Sequence, residues 1–271
     1  MTNIGIIAGN GNLPILIAKE AQDKNAPVYV CAIQGEASPK LESMCSGFSW
    51  VKIGQLGKLV DFFKKNNVTQ AVMAGKITKI NLFKGNVQPD LEMVKVISKI
   101  KDWKDDSLLL AITNYLDSKG IKILDSTLLV RSLLPEEGVL SKQKPNEHDE
   151  AEIIFGWKMA KEIARLDIGQ TVVTKNKSVV AVESIEGTDR AILRGGELAS
   201  GAVNVFKVAK PNQDMRFDVP TVGLETLDVM IRSKVRMLVF EANKTILLDR
   251  EEFLKKANQH KMIVVARKVS S

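Results

Sequence analysis

Residues 3–14 read Asn-Ile-Gly-Ile-Ile-Ala-Gly-Asn-Gly-Asn-Leu-Pro, and this stretch decides how the first half of the chain folds. Asn3 to Ala8 is a short apolar run typical of a buried strand, and it ends at a glycine-rich turn. Pro14 stands where a helix would begin, a position that favours proline because its missing N–H needs no partner there. A strand, a glycine turn and a helix in this order predict the opening of a doubly wound sheet.

The alternation of strand and helix continues to residue 134. Apolar runs at 28–33, 49–53, 71–75 and 121–125 predict four further strands, and helical patterns lie at 15–22, 56–66, 91–100 and 105–118. Strands that are separated by helices pair in parallel. The sequence therefore predicts an α/β protein with a Rossmann-like N-terminal domain and a parallel sheet over residues 1–134.

The pattern changes after residue 134. Residues 135–149 are polar, contain two prolines and predict a linker, and a helical pattern follows them. Residues 170–174 and 178–184 then flank a short polar connection, which is typical of a hairpin. Further strands at 203–208, 237–240, 245–248 and 262–266, with helices near 223–233 and 251–259, predict a C-terminal mixed α/β domain over residues 150–271.

Composition and charge restrict the class of protein. The 271 residues are 45% hydrophobic and carry a net charge of +7, which is spread over both halves without a concentrated basic stripe. This pattern argues against nucleic acid as a partner and fits phosphates, acidic small molecules or an anionic membrane surface. No apolar run approaches the roughly 20 residues of a membrane span, and the first residues lack a basic signal-peptide region. Cys31 and Cys45 suggest reduced thiols, so we expect a cytoplasmic protein.

Two turns of the N-terminal domain are candidates for binding an anion. Backbone N–H groups at Gly9, Asn10 and Gly11 would attract phosphate together with the following helix, and Lys76 follows the fourth strand at a carboxyl end. The alternatives are a tight turn without ligand and a solvated lysine. NAD is disfavoured because Pro14 replaces the third glycine of the dinucleotide motif and Gln34, not an acidic residue, follows the second strand.

Histidine chemistry is disfavoured by the sequence. The chain has two histidines, and neither lies in a pattern typical of a Ser-His-Asp or Cys-His site. His148, Asp149, Glu150 and Glu152 could be metal ligands, but an acidic first turn of the following helix explains them better.

Polar residues in the second half gather where strands are expected to end. Carboxylates that lie with lysine and arginine suit a magnesium-assisted phosphoryl site, because the carboxylates hold Mg²⁺ and the cations neutralise phosphate oxygens. The alternative is that each residue caps a helix or closes a turn. The candidates for substrate binding are Gln170, Gly187, Thr188, Lys207, Lys210, Gln213, Arg216, Thr221 and Gly223. The candidates for metal binding are Glu183, Asp189, Asp214 and Asp218.

Seven blocks in order carry a resemblance to a known family. They are Gly5-Ile-Ile-Ala-Gly-Asn-Gly-Asn-Leu-Pro14, Gly75-Lys76, Leu124-Asp-Ser-Thr-Leu128, Leu166-Asp-Ile-Gly-Gln170, Ala181-Val-Glu-Ser-Ile-Glu-Gly-Thr-Asp189, Lys207-Val-Ala-Lys-Pro-Asn-Gln-Asp214 and Arg216-Phe-Asp-Val-Pro-Thr-Val-Gly223. The chain resembles the LpxI-type UDP-2,3-diacylglucosamine pyrophosphatases of lipid A biosynthesis. It differs conservatively at Val219 and Val222, where the family has leucine and isoleucine.

The resemblance implies a reaction and a catalytic residue. Members of this family use Mg²⁺ to hydrolyse UDP-2,3-diacylglucosamine to UMP and 2,3-diacylglucosamine 1-phosphate (lipid X), with water attack on the phosphorus nearer the sugar. The essential aspartate of the family matches Asp218. The substrate and its lipid product are thus the expected partners, and a homodimer and a peripheral contact with the inner membrane surface are compatible with the sequence. The alternatives are an NAD-dependent nucleotide-sugar enzyme and a non-catalytic module that binds lipid phosphate or nucleotide.

Overall fold

The computed structural model describes residues 3–77, 89–100, 105–211, 213–216 and 219–268, and the chain forms two units. The first unit comprises Met1–Val130 with Met215–Phe217, and the second comprises Arg131–Asp214 with Asp218–Ser271. The α/β class that the sequence predicts is confirmed.

The first unit is built on a parallel sheet. Its elements are β1 (Ile4–Ala8), α1 (Leu13–Asp23), β2 (Val28–Ile33), β3 (Gly47–Val51), α2 (Leu56–Lys65), β4 (Gln70–Ala74), α3 (Leu91–Ile97), α4 (Asp105–Ser118) and β5 (Lys122–Ile123). The strand order is β3-β2-β1-β4-β5. The strands run outward from β1 in both directions, so the order reverses between β1 and β4. Ligands of doubly wound sheets bind at the carboxyl ends of strands next to this reversal.

The core of the first unit lies where α2, α3 and α4 cover one face of the sheet. Phe63 of α2 and Leu116 of α4 are fully buried there, together with Ile121 before β5. In α2 the buried residues recur at helical spacing, and two lysines close its last turn, where positive charge complements the helix dipole.

The second unit contains a mixed sheet. Its elements are β6 (Gly138–Val139), α5 (Glu147–Arg165), β7 (Thr171–Lys175), β8 (Ser178–Val182), α6 (Thr188–Leu198), β9 (Val203–Lys207), β10 (Thr221–Val222), α7 (Leu224–Arg232), β11 (Val235–Glu241), β12 (Ile246–Leu247), α8 (Arg250–Gln259) and β13 (Ile263–Arg267). The order is β6-β13-β11-β9-β7-β8, and β10 pairs with β12 separately. Strands β13, β11 and β9 are parallel, whereas β7 is antiparallel to β9 and β8. The hairpin between β7 and β8 turns at Asn176 and Lys177, both with positive φ.

Helix α5 packs along one face of this sheet. Asn146 accepts a hydrogen bond from the Asp149 N–H, and the Asp149 carboxylate accepts one from the Asn146 N–H, so a capping box starts the helix. Ile153, Trp157 and Ala160 of α5 pack into a core cluster formed with β7, β9 and β11. The acidic first turn that the sequence predicts is confirmed.

The segment 135–149, which the sequence predicts as a linker, is instead part of the second unit. Gly138–Val139 pairs antiparallel with β13, and the Leu140 N–H donates to the Val264 carbonyl at 2.8 Å. The buried Ser141 hydroxyl accepts a hydrogen bond from the Val264 N–H. The prolines and polar residues around this edge strand are typical of a loop. Its hydrogen-bonding partner lies more than a hundred residues away in the sequence, so no local pattern indicates the pairing.

The two thiols are expected to differ in reactivity. Burial raises the pKa of the Cys31 thiol strongly, and burial raises the pKa of the half-buried Cys45 thiol as well. Because the thiolate is the reactive form, a disulfide reagent should modify Cys45 slowly in the native protein and Cys31 only after unfolding. The absorbance of the thiol that the reagent releases measures the reaction of Cys45 without denaturant and that of Cys31 with denaturant. A Cys45→Ser variant that still reacts in the native state would contradict this assignment.

Candidate functional site

The two candidate turns of the first unit lie side by side at the carboxyl ends of β1 and β4. The Asn10 N–H donates to the Lys76 carbonyl at 2.7 Å, and the Lys76 N–H donates to the Asn10 carbonyl at 2.9 Å. The Gly9 N–H donates to the Ala74 carbonyl at 2.8 Å. The structure therefore brings Gly9, Asn10 and Lys76 together at the point where the strand order reverses, and it leaves the Lys76 side chain exposed.

Close backbone approach explains why glycines stand in these turns. A Cβ atom on Gly9 would lie 2.6 Å from the Lys76 carbonyl oxygen, and one on Gly75 would lie 2.6 Å from the Asn10 carbonyl oxygen. Gly75 and Gly11 also have φ angles of +87° and +102°, a region that favours glycine. The N–H groups of Gly9 and Asn10 are already engaged by the chain itself. An anion here would therefore be bound by other N–H groups of the turn and by Lys76.

In the second unit, one edge of the sheet carries a group of polar side chains. Strand β9 ends at Lys207 and Glu183 directly follows β8, whereas β7 begins at Thr171 and runs in the opposite direction. Thr171 pairs with Lys207, and the Glu183 N–H donates to the Thr171 carbonyl at 2.9 Å. Helix α6 begins at the same edge, with Gly187 as its N-cap and Thr188 as its first residue.

A hydroxyl group joins a buried lysine to a buried carboxylate at this edge. Lys207 Nζ donates to Thr188 Oγ1 at 2.7 Å, and Thr188 Oγ1 donates to Glu183 Oε1 at 2.8 Å. Thr171 Oγ1 lies 3.4 Å from both Lys207 Nζ and Thr188 Oγ1. Lys207 and Glu183 are 4% and 8% exposed. We call Thr171, Glu183, Thr188 and Lys207 the edge network.

Three polar oxygens, one in the edge network and two on residues next to it in the sequence, are buried and lack a hydrogen-bond partner in the described part of the chain. They are Glu183 Oε2, Gln170 Oε1 and Asp189 Oδ1. Leaving a buried acceptor unsatisfied costs about 1–3 kcal/mol, and more for a charged group. Such atoms at one edge of a sheet, beside a helix N-terminus, indicate a site for a ligand that supplies the missing partners.

The loop after β9 continues from the edge network. The Lys210 N–H donates to Gln213 Oε1 at 2.9 Å, and Lys210 Nζ lies 2.7 Å from Asp167 Oδ1. Asp214 and Arg216 are half-buried further along this loop. Lys210 thus follows Lys207 by three residues and pairs with the loop before β7.

The remaining candidates belong to the segment before α7. Thr221 lies in β10, where its hydroxyl donates to the Val219 carbonyl at 3.0 Å, and Gly223 is the N-cap of α7. The Ile246 N–H donates to the Pro220 carbonyl at 2.8 Å. Ile246 follows closely after β11, so this hydrogen bond ties the segment to the chain that leaves the carboxyl end of β11. Asp218, the predicted catalytic residue, lies outside the described residues.

Sequence reasoning missed three residues at this edge. Thr171 is the first residue of an apolar strand, and nothing in the sequence distinguishes it from the core residues that follow. Lys161 and the buried Glu241 form an ion pair with Nζ and Oε2 2.9 Å apart. The sequence contains a sign of both residues, since each is a charged residue at a position where an apolar one is expected. Lys161 follows Ile153 and Trp157 at helical spacing, and Glu241 is the last residue of a strongly apolar strand.

The fold and the edge network define a two-unit α/β protein with polar residues gathered at the carboxyl ends of its strands. A family model described as the LpxI N-terminal domain matches residues 3–133, and one described as the LpxI C-terminal domain matches residues 136–265. The chain therefore belongs to the LpxI family. This membership connects it with lipid A biosynthesis.

The relatives agree with this membership. The UDP-2,3-diacylglucosamine pyrophosphatase LpxI of Caulobacter vibrioides is 28% identical over 276 residues, which cover 98% of this chain and 97% of that protein. Among solved structures, leucoanthocyanidin reductase of Vitis vinifera with NADPH has a TM-score of 0.31 at 11% identity, covering 98% of this chain and 78% of that chain. Phosphoribosylglycinamide synthetase of Anaerococcus prevotii has a TM-score of 0.27 at 10% identity, covering 68% and 39%. Structural likenesses this weak carry no argument about function.

The part of the chain that the structure describes contains neither a metal-binding cluster nor a membrane-spanning helix. No group of three or more histidine, cysteine, aspartate or glutamate side chains among them could hold a metal ion. Within the same residues, every helix is too short or too polar to cross a membrane.

Proposed function

We propose that the protein hydrolyses UDP-2,3-diacylglucosamine to UMP and 2,3-diacylglucosamine 1-phosphate in a magnesium-dependent reaction. Membership of the LpxI family and the name of the Caulobacter relative support this substrate. The observation that carries the proposal is the edge network, where a buried lysine and a helix N-terminus lie beside unsatisfied carboxylate oxygens. In the reaction, one oxygen of water bonds to phosphorus, one bridging P–O bond of the anhydride breaks, and UMP leaves with the electron pair.

Positive groups at the edge of the sheet bind the diphosphate in this proposal. Lys207 and the N-terminal N–H groups of α6 attract its oxygens, and Lys210 adds charge from the following loop. A cation that is already buried and held by two hydroxyls needs little reorganisation when negative charge develops. In the second unit, further proposed substrate contacts are Gln170, Gly187, Gln213, Thr221 and Gly223. In the first unit, the residues proposed to bind an anion are Gly9, Asn10, Gly11, Lys76 and Arg216.

The carboxylates fit a magnesium ion in a specific way. Mg²⁺ keeps several waters and is usually bound by one or two carboxylates together with substrate phosphates. Glu183 Oε2 and Asp189 Oδ1 are buried and have no hydrogen-bond partner among the residues that the structure describes, so these two residues would hold the ion. Asp214 does not join them in a group of three. We propose that Asp218 completes the set, and when bound, Mg²⁺ would neutralise phosphate charge and lower the pKa of attacking water.

The experiment that tests the function uses the full chain and purified substrate. Incubation with UDP-2,3-diacylglucosamine and Mg²⁺ should release UMP and the lipid 1-phosphate in equal amounts, measured by mass spectrometry. Product formation that requires added NAD would instead support the nucleotide-sugar alternative. Binding of the substrate without any release of UMP would leave only a non-catalytic binding module.

Removal of magnesium is expected to abolish activity, and two variants should change the requirement for the ion. EDTA should stop UMP release and excess Mg²⁺ should restore it. In Glu183→Gln and Asp189→Asn the Mg²⁺ concentration for half-maximal rate should rise about tenfold, because a neutral amide binds the ion more weakly.

The matched control is Glu186→Gln. Glu186 lies in the same loop, but its carboxylate already pairs with Arg194 at 2.6 Å. For this variant the Mg²⁺ concentration for half-maximal rate should stay within about twofold of that of the parent protein. An equal shift in all three variants would contradict the assignment of the ion to Glu183 and Asp189.

A further inference from the structure

Two ion pairs attach helix α5 to strand β11, one at each end of the strand. Arg236 near the start of β11 pairs with Asp149 in the first turn of α5. At the other end of the strand, Glu241 pairs with Lys161. Asp149 and Glu241 are each 1% exposed. The helix and the strand therefore run parallel, with a buried carboxylate in each pair.

The second of these pairs also binds the chain that leaves β9. The Ala209 N–H donates to Glu241 Oε2 at 2.9 Å, and Lys161 Nζ donates to the Ala209 carbonyl at 3.1 Å as well as to Glu241 Oε2 at 2.9 Å. Ala209 is fully buried and lies beyond the end of its strand. Its two backbone groups lack a strand partner there, and the ion pair satisfies both.

Ala209 lies between two lysines of the candidate site. Ala209 is two residues after Lys207, which belongs to the edge network, and it directly precedes Lys210. Lys210 in turn pairs with Asp167 in the loop that follows α5. The peptide held by Lys161 and Glu241 therefore lies between the two lysines that the proposed function assigns to the diphosphate.

We propose that Lys161 and Glu241 are positioning residues for the hydrolysis reaction, an inference that rests on the proposed function. They hold the Ala209 peptide and so fix where Lys207 and Lys210 present their charges. An apolar pair could match such an ion pair in stability, but it could not supply both an acceptor for the N–H and a donor for the carbonyl of one residue. The ion pair thus has a geometric role that its contribution to stability does not explain.

Kinetics of matched variants test this role. Lys161→Met removes the donor to the Ala209 carbonyl. The buried Glu241 carboxylate keeps its ion pair with Lys244, whose Nζ lies 3.0 Å from Oε1, so the variant should fold. We expect kcat to fall about 10- to 100-fold, because displacement by about an ångström costs that much when charge must be stabilised at short range. KM should change less than about threefold, since displaced cations still attract a diphosphate at longer range. Lys161→Arg, which keeps the charge and the donors, should restore most of the rate.

The control is Arg236→Met, which breaks the other ion pair of the same helix and strand. Its kcat should stay within about twofold of the parent protein when both are assayed well below their melting temperatures. Circular dichroism establishes that each variant is folded. A rate loss in Arg236→Met equal to that in Lys161→Met would show a general effect of stability and overturn the positioning role.

Amide hydrogen exchange provides a measurement that does not depend on activity. Exchange in a peptide covering residues 206–211 should quicken in Lys161→Met and stay unchanged in Arg236→Met. Unchanged exchange in both variants would overturn the inference, whatever the substrate. If exchange quickens but kcat does not fall, the contact is only structural. If the parent protein releases no UMP, the proposed function is wrong, and so is the positioning role in it. Hydrogen exchange would still show whether the ion pair holds Ala209, so the two failures are distinguishable.

Discussion

Asp218→Asn is expected to lower kcat for UMP release by about 10³-fold or more while the protein stays folded. Asp218 matches the essential aspartate of the LpxI family, and the chain belongs to that family. Removing a carboxylate that holds a metal ion or orients the attacking water commonly costs this much, and asparagine keeps the size of the side chain. Steady-state release of UMP, together with thermal unfolding of the same preparation, measures both halves of the expectation.

Asp228→Asn is the matched control for this variant. Asp228 lies ten residues further along, on α7, where it is half exposed and pairs with Lys256 of α8. A surface ion pair of this kind contributes little to stability, so the rate should stay within about twofold. Turnover by Asp218→Asn close to that of Asp228→Asn would remove Asp218 from the mechanism.

Lys207→Met is expected to lower kcat/KM by about 10²-fold or more. The variant keeps the apolar stem of the side chain but loses the charge that reaches Thr188 and, through its hydroxyl, Glu183. In the proposed function this charge stabilises phosphate oxygens in a water-poor environment, where one electrostatic contact commonly contributes 10²–10³ in rate. The buried hydroxyls and the carboxylate also lose a partner, so stability should fall by about 1–3 kcal/mol.

Lys175→Met controls for the loss of a lysine from the same sheet. Lys175 lies at the opposite end of β7, where its Nζ donates to the carbonyls of Ala199 and Gly201 at 2.7 and 3.1 Å. This variant should also lose stability, but its kcat/KM should stay within about threefold of the parent protein. If Lys207→Met and Lys175→Met lose stability and rate in the same proportion, Lys207 has no specific part in binding the diphosphate.

Much of the fold was predictable because its signals are local. The apolar run and glycine turn at residues 3–14 predict β1 and α1, and both form. The polar connection at 175–177 predicts the hairpin that β7 and β8 make. The edge strand at Gly138–Val139 was not predictable in this way, since two residues carry no periodicity and their partner in β13 is distant in the sequence.

The candidate site was predictable in its residue types but not in its arrangement. Glu183, Thr188 and Lys207 are identified by their positions at expected strand and helix ends, and the structure joins them by hydrogen bonds. Lys161 and Glu241 were missed because each belongs to an element whose apolar pattern indicates a core.

The sequence by itself determined the α/β class, the order of the longer strands and helices and the polar residues at strand ends, because periodicity and turn chemistry act over a few residues. Only the tertiary structure decided that β7 of the predicted hairpin also pairs antiparallel with β9, which places Thr171 beside both Glu183 and Lys207. It also decided that α5 lies along β11, which brings Lys161 to Glu241 and both to Ala209. Strand direction and helix placement depend on which apolar faces can be buried together, and that choice is made among residues far apart in the chain.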